Sequence, residues 1–95
     1  MEFEWDEQKN QINIVKHGYD FKDVSKALLK NDFVYTYPSS YSEENRTVAI
    51  CPFVDHLVAI IYTLREDKIR IISIRKARKK ERQNYEKAER EDRQI

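Results

Sequence analysis

The sequence of residues 46–75 is RTVAICPFVDHLVAIIYTLREDKIRIISIR. It contains three runs rich in β-branched and aromatic residues, at 46–53, 57–64 and 68–74, which are typical of β-strands. The dipeptides Asp55-His56 and Glu66-Asp67 between these runs are short enough for tight hairpin turns. Consecutive strands joined by tight turns pair antiparallel, so the sequence predicts a β-meander.

The residues before the meander add two further strands. Residues 33–37 form a β-rich run that is separated from the meander by a polar loop at 38–45. Near the start of the chain, residues 3–5 alternate apolar and acidic side chains, which predicts a short N-terminal strand.

The first helix has a clear start and stop. Asp6 offers a side-chain oxygen to cap a helix over residues 7–17, and Ile12 and Val15 are apolar positions at helical spacing within it. Gly18 is the only glycine in the chain, and glycine enters the left-handed conformation that ends many helices without steric penalty. We therefore expect the helix to end at His17.

Two further helices complete the predicted fold. A second helix begins after Asp20 and runs to about Lys30. A terminal helix over residues 76–91 has strong helix formers, but its apolar stripe is only Ala77, Tyr85 and Ala88. The sequence predicts one α+β domain over residues 1–95: a short N-terminal strand, two helices, a four-stranded antiparallel meander and a C-terminal helix, with the helices against one sheet face.

Positive charge is concentrated late in the chain. The whole chain has a formal net charge of +1, but residues 65–82 contain nine Lys or Arg and three Asp or Glu, a net charge of +6. Such a field attracts a polyanion such as nucleic acid, and an acidic partner protein would be attracted equally well. A solvated helix face with no special purpose is the structural alternative.

Several classes of protein and site are disfavoured. The longest apolar stretch, at 50–64, is broken by Pro52, Asp55 and His56, so no transmembrane segment is predicted, and with an acidic N-terminus we expect the chain to stay in the cytoplasm. The single cysteine, Cys51, is interpreted as a buried thiol. Because no Asp/Glu or His set has ligand-like spacing, neither a metal nor another cofactor is expected.

His17 is the first candidate for proton transfer, because an unperturbed imidazole titrates near neutral pH and can act as acid or base. Its structural alternative is to cap carbonyls and interact with the dipole at the helix end. Lys16 beside it is either an electrostatic group or a solvated lysine. His56, in the predicted hairpin turn, is interpreted as a surface residue.

Arginines are the candidate phosphate ligands. Arg46, Arg65 and Arg75 lie at the ends of predicted neighbouring strands, from which guanidinium groups could converge on one phosphate. The alternative is structural ion pairing with Glu44, Glu66 or Glu81. Further candidates for RNA binding are Arg70, which a regular strand would place opposite Arg75, together with Lys76, Lys79 and Tyr85. The structural alternative for Tyr85 is to anchor the terminal helix by packing against the sheet.

Motifs spread over nearly the whole chain resemble the BrnT family. They are Phe3-Glu4-Trp5-Asp6, Lys9, Asn13, Lys16-His17-Gly18, Phe21, Glu44-Asn45-Arg46, Thr63-Leu64-Arg65, Arg70-Ile71-Ile72-Ser73-Ile74-Arg75, Ala77, Glu81 and Tyr85. The resemblance implies a RelE-like fold and a ribonuclease toxin of a bacterial type II toxin-antitoxin system that cleaves RNA and so inhibits translation.

The resemblance also implies the partners. They are an RNA substrate and a ribbon-helix-helix antitoxin, BrnA, with two toxins on an antitoxin dimer and operator DNA contacted only through the antitoxin. RNA cleavage by attack of the RNA's own 2′-hydroxyl requires no metal, only groups that move protons and cations that hold the phosphate. The alternative hypotheses are a non-catalytic RNA- or partner-binding module and a degenerate toxin, both using the same basic surface.

Overall fold

The computed structural model describes residues 2–40 and 45–94 of the chain. Residues 41–44, which include Glu44 and half of the predicted polar loop, lie outside the described residues. The elements in chain order are β1 (Glu2–Glu4), α1 (Glu7–His17), α2 (Phe21–Val24), α3 (Ala27–Lys30), β2 (Tyr35–Pro38), β3 (Arg46–Phe53), β4 (His56–Arg65), β5 (Lys68–Lys76) and α4 (Lys79–Arg93).

The strands form one mixed sheet in the order β1-β5-β4-β3-β2. Strands β2 to β5 pair antiparallel with their sequence neighbours, which confirms the predicted meander. The N-terminal strand β1 pairs parallel to β5, with Phe3 opposite Ile69. The α+β fold class predicted from the sequence is confirmed.

Helices cover both faces of the sheet, so the expectation of a single covered face was wrong. On the back face, α2 and α3 contribute Phe21, Val24 and Ala27 to a core with strand residues such as Ile60. On the front face, α4 lies over β2 and β3, and its Tyr85 joins a second cluster. The terminal helix can use this face because its few apolar residues meet a sheet surface that also carries Val48, Ile50, Ala59 and Ile61.

A β-bulge in β5 changes which side chains share a face. Ile61 of β4 pairs with Ser73, but the next residue, Tyr62, pairs with Ile71, so Ile72 is the extra residue. The alternation of side chains therefore shifts by one position along β5, and Ile71 and Ile74 both enter the back-face core.

Helix α1 has the predicted bounds and ends. The Asp6 side chain accepts hydrogen bonds from the backbone N–H groups of Gln8 and Lys9, and Gly18 ends the helix at φ 83°. Its packing face, in contrast, is polar: Asn10 and Asn13 are buried, whereas Ile12 and Val15 are exposed. The apolar positions predicted from helical spacing do not face the core.

Asparagine side chains explain this orientation of α1. Asn13 donates to the carbonyl of Ile74 at 2.9 Å and accepts from the N–H of Ile74 at 3.1 Å. It thereby takes the place of a neighbouring strand where β1 no longer covers the edge of β5. Buried backbone groups must be paired, so this contact fixes the rotation of the helix about its axis.

Local turns account for the remaining differences from the sequence-based prediction. The predicted second helix is interrupted by a turn at Ser25 and Lys26 into α2 and α3. Both tight hairpins begin with a non-glycine residue at positive φ: Val54 at 58° and Glu66 at 57°. This conformation is unfavourable for β-branched Val54, which is also exposed. No helix in the described part of the chain is long and apolar enough to cross a membrane.

Candidate functional site

Arginine side chains from three parts of the fold line a cleft of about 230 Å³ on the front face of the sheet. We call it the arginine cleft. Its polar lining residues are Tyr37, Ser39, Ser40, Arg46, Ser73, Arg75 and Arg78. Arg46 begins β3, Arg75 lies near the end of β5, and Arg78 precedes α4, so the meander and the terminal helix together concentrate positive charge there.

Arg75 is held by an ion pair with Glu81. Its two terminal nitrogens, Nη1 and Nη2, donate to Oε1 and Oε2 of Glu81 at 2.7 and 2.9 Å, and Glu81 is 5% exposed. The Tyr37 hydroxyl also donates to Glu81, as does the backbone N–H of Arg78. Arg75 is therefore fixed in position, and the predicted ion-pairing alternative with Glu81 describes its contacts.

The protonation states of this network follow from its contacts. Burial alone would raise the pKa of Glu81, but hydrogen bonds from Arg75, the Arg78 backbone and Tyr37 lower the pKa to about 2. The hydrogen bond to Glu81 raises the pKa of Arg75. The pKa of Tyr37 is also raised, mainly by burial and to a smaller extent by its hydrogen bond to Glu81. At neutral pH the carboxylate is charged, the guanidinium is charged and the phenol is protonated.

A second cleft, which we call the lysine groove, lies between α1 and β5. It has a volume of about 220 Å³ and is lined by Lys9, Ile12, Asn13, Lys16, His17, Ile72 and Ser73. Because Ser73 lines both clefts, the lysine groove adjoins the arginine cleft. Lys16 and His17 therefore line a cleft that adjoins the one lined by Arg46 and Arg75.

His17 is electrostatically linked to the arginine cleft. Partial burial lowers the pKa of His17, and the positive charges of Lys16 and Arg75 lower it further. Since the unperturbed value lies near 6.5, the imidazole is neutral at pH 7 and can accept a proton.

Arg65 does not join this group. Arg75 pairs with Ala59 on β4, and Arg65 lies six residues further along that strand, beside the β4–β5 turn. At about 3.3 Å per residue, this separation is about 20 Å. Arg65 and Arg75 end antiparallel neighbours and so lie at opposite ends of the sheet.

The bulge moves Arg70 to an unexpected face. Arg70 pairs with Thr63 and Arg75 with Ala59, and these β4 residues point to the same side, so both arginines face the front. The expectation of opposite faces was wrong because β5 is not regular. Arg70 donates to Glu4 at 2.8 Å and is tied to the N-terminal strand.

The other predicted residues lie apart from the two clefts or are buried. Lys76 pairs with Val58 and faces the back, where it lines a cleft with His56. The Nε2 atom of His56 forms a hydrogen bond of 2.7 Å with the Tyr19 hydroxyl. Lys79 is exposed in the first turn of α4. Tyr85 is 7% exposed and packs edge-on against Phe33, so it anchors α4.

Five polar residues of the arginine cleft were absent from the sequence-based list of site residues: Tyr37, Ser39, Ser40, Ser73 and Arg78. Tyr37 is brought opposite Val48 by the pairing of β2 with β3, and Arg78 lines the cleft as the residue that immediately precedes α4. Ser73 had a visible signal, since it is the one small polar residue in an otherwise apolar and basic strand.

The cysteine and the possible metal ligands of the described residues do not form a further candidate site. Burial raises the pKa of the Cys51 thiol to about 11, so it is protonated and enclosed by the core. Across residues 2–40 and 45–94, no three side chains of His, Cys, Asp or Glu come together as metal ligands.

The fold and its two adjoining clefts define a small α+β domain with a cationic surface of the kind that attracts a polyanion. Residues 5–81 match the family model described as "Ribonuclease toxin, BrnT, of type II toxin-antitoxin system". The match covers more than half of the chain, which therefore belongs to the BrnT family of ribonuclease toxins. Comparison with curated proteins finds no match for the chain.

Proposed function

We propose that the chain cleaves RNA without a metal ion, by attack of a 2′-hydroxyl on the neighbouring phosphate, at the junction of the arginine cleft and the lysine groove. The observation that carries this proposal is the shared Ser73, which joins a neutral imidazole to a cluster of cations. Membership in a family of ribonuclease toxins supplies the class of reaction.

Each group has a role that suits its position. His17 accepts the 2′ proton while the 2′ oxygen attacks phosphorus, and Arg46, Arg75 and Lys16 hold the phosphate oxygens as negative charge develops on them. The 5′ oxygen leaves and takes a proton from water. The products are a 2′,3′-cyclic phosphate and a 5′-hydroxyl end.

Glu81 is a positioning residue in this scheme. A guanidinium carries five N–H groups, and the pair with Glu81 uses two of them. The pair fixes the plane of the Arg75 guanidinium before RNA binds, and a fixed cation needs no reorganisation when the transition state forms.

The test is single-turnover cleavage of a short labelled RNA in EDTA. We expect wild-type protein to cut the RNA but not a strand with 2′-deoxy sugars, and His17→Ala to reduce the rate by about 100-fold or more. The matched control is His56→Ala, which removes the only other histidine and leaves the rate unchanged. Equal losses in both variants, or cutting of the 2′-deoxy strand, would refute the mechanism.

Arg46→Ala extends this test to the phosphate ligands. We expect slower cleavage, whereas Arg65→Ala, at the far end of the sheet, has a much smaller effect. If RNA binds to wild-type protein in this assay and stays intact, the chain is a binding module or a degenerate toxin that uses the same surface.

We also propose the biological setting that the family resemblance implies. Cutting RNA in the cytoplasm inhibits translation, and a BrnA-like ribbon-helix-helix antitoxin neutralises the toxin. Two toxins on one antitoxin dimer would give a heterotetramer that contacts operator DNA only through the antitoxin. Light scattering on the co-expressed complex measures its mass, and a 1:1 heterodimer would contradict this assembly.

A further inference from the structure

Two large aliphatic side chains of α1 lie in solvent. Ile12 is 64% exposed and Val15 is 89% exposed. They cannot rotate into the core, because Asn10 and Asn13 hold the opposite side of the helix: Asn10 accepts from the N–H of Phe21 at 2.9 Å, and Asn13 binds the backbone of β5. An exposed valine adds neither burial nor helix propensity. These side chains therefore contribute little to the stability of the folded monomer.

The chemistry around Ile12 restricts what can cover it. Ile12 lines the lysine groove together with Ile72, and Lys9 and Lys16 lie at the same groove. No carboxylate is among the described residues that line it. The surface is therefore apolar and bordered by positive charge.

One class of occupant fits both properties. An RNA would pair with the lysines but would leave Ile12 and Val15 uncovered, and a second copy of this chain would bring its own lysines against them. An amphipathic protein segment with acidic side chains buries the apolar pair and neutralises the cations. In a type II system the toxin has an antitoxin partner.

We propose that α1 and the lysine groove are the docking surface for an acidic, amphipathic segment of the antitoxin, which covers Lys16 and His17 when it binds. The docking rests on family membership and on the groove; its inhibitory effect rests on the proposed function. The terminal helix, whose basic residues also attract an acidic partner, is less suited, because among the described residues of α4 no large apolar side chain is exposed.

The test uses a double variant, Ile12→Glu with Val15→Glu, which we call the groove variant. Glutamate is a good helix former, so the fold is preserved, while an acidic segment is repelled. The matched control is Leu29→Glu with Leu64→Glu, at positions that are 58% and 60% exposed on α3 and β4. Circular dichroism checks that both variants are folded.

Binding is measured by calorimetric titration with the purified cognate antitoxin. We expect the groove variant to raise the Kd by at least 100-fold and the control variant to stay within about threefold of wild type. Binding of the groove variant within threefold of wild type would overturn the proposal, as would equal losses in both variants. Two further results would also overturn the proposal. One is that wild-type toxin does not bind this antitoxin, and the other is that wild-type toxin forms a homodimer which is lost in the groove variant but not in the control variant.

RNA cleavage separates this proposal from the proposed function. Because Ile12 lines the groove in which cleavage is proposed, the RNA assay uses the uncharged variant Val15→Gln, at a position that lines neither cleft. It should cut RNA at the wild-type rate and need a higher antitoxin concentration for inhibition than wild type does. If wild-type protein cuts no RNA, the proposed function fails, and the titration still decides whether the groove is the docking surface.

Discussion

Replacing Glu81 with glutamine tests the buried ion pair beneath the arginine cleft. Glutamine has the shape of glutamate and can still accept hydrogen bonds from Arg75 and the Arg78 backbone, but it carries no charge. The pKa of Glu81 falls from an ordinary value of 4.5 to about 2 in the folded protein. At about 1.4 kcal/mol per pKa unit, the charged form stabilises the fold by about 3 kcal/mol at pH 7.

The pH dependence of this contribution has a definite sign. Because folding depresses the pKa of Glu81, the stabilisation is fully present above pH 4.5 and is lost as the pH falls through about 2. We expect Glu81→Gln to lower the free energy of unfolding by about 3 kcal/mol at pH 7 and by only about 1 kcal/mol at pH 3. The loss at pH 7 is large against the 5–15 kcal/mol typical of a domain.

Urea unfolding, followed by the fluorescence of the single tryptophan, Trp5, measures both values. The control is Glu89→Gln, which breaks a 3.4 Å pair with Arg93 on an exposed turn of α4 and should cost less than about 0.5 kcal/mol. A cost of Glu81→Gln below about 1 kcal/mol at pH 7, or one that is equal at pH 3 and pH 7, would refute the reasoning.

Four further outcomes are expected. Val54→Gly should raise the free energy of unfolding by about 1 kcal/mol, because glycine relieves the positive φ at an exposed turn; thermal unfolding checks this, and a lower Tm would contradict it. Asn13→Ala should cost about 2–3 kcal/mol in urea unfolding, since the N–H and C=O of Ile74 lose their partner; a cost below about 0.5 kcal/mol would show that the edge of β5 needs none. The Cys51 thiol should resist iodoacetamide at pH 8 until the protein is unfolded, and rapid labelling of folded protein would argue against its burial. Finally, the rate of RNA cleavage should fall on the acid side with a midpoint below 6.5 and lose this dependence in His17→Ala; a midpoint above 6.5 would exclude His17 as the base.

Local signals in the sequence were sufficient for most of the fold. The side chain of Asp6 and the conformational freedom of Gly18 act within one helical turn, and both ends of α1 lie where these residues predict. The hairpins likewise follow from short spacers between β-rich runs. The face covered by α4 was not predictable from such signals, since it depends on which sheet surface remains apolar after the other helices have packed.

The orientation of α1 and the grouping of the site residues depend on contacts between residues far apart in the chain, which local sequence patterns do not predict. The polar contacts of α1 depend on Asn13 meeting the edge of β5, a contact between residues far apart in the chain. Helical spacing alone predicts Ile12 and Val15 as packing residues, and both are exposed. For the candidate site, the basic residues were recognisable from their clustering. Their grouping depended on strand register, which separates Arg65 from Arg75 and brings Tyr37 and Ser73 into the cleft.

The extra residue in β5 has a consequence for how this protein can vary. The positions of Arg70 and Arg75 on one side of the sheet depend on the number of residues between them, not only on what those residues are. Deleting Ile72 would shorten the separation of the two arginines from five positions to four, and a regular strand places residues four positions apart on the same side, so both would stay on the front face without a bulge. A change of length by one residue is therefore compatible with the site when the bulge is gained or lost with it, and relatives that retain the function should combine either the longer spacing with a bulge or the shorter spacing with a regular strand.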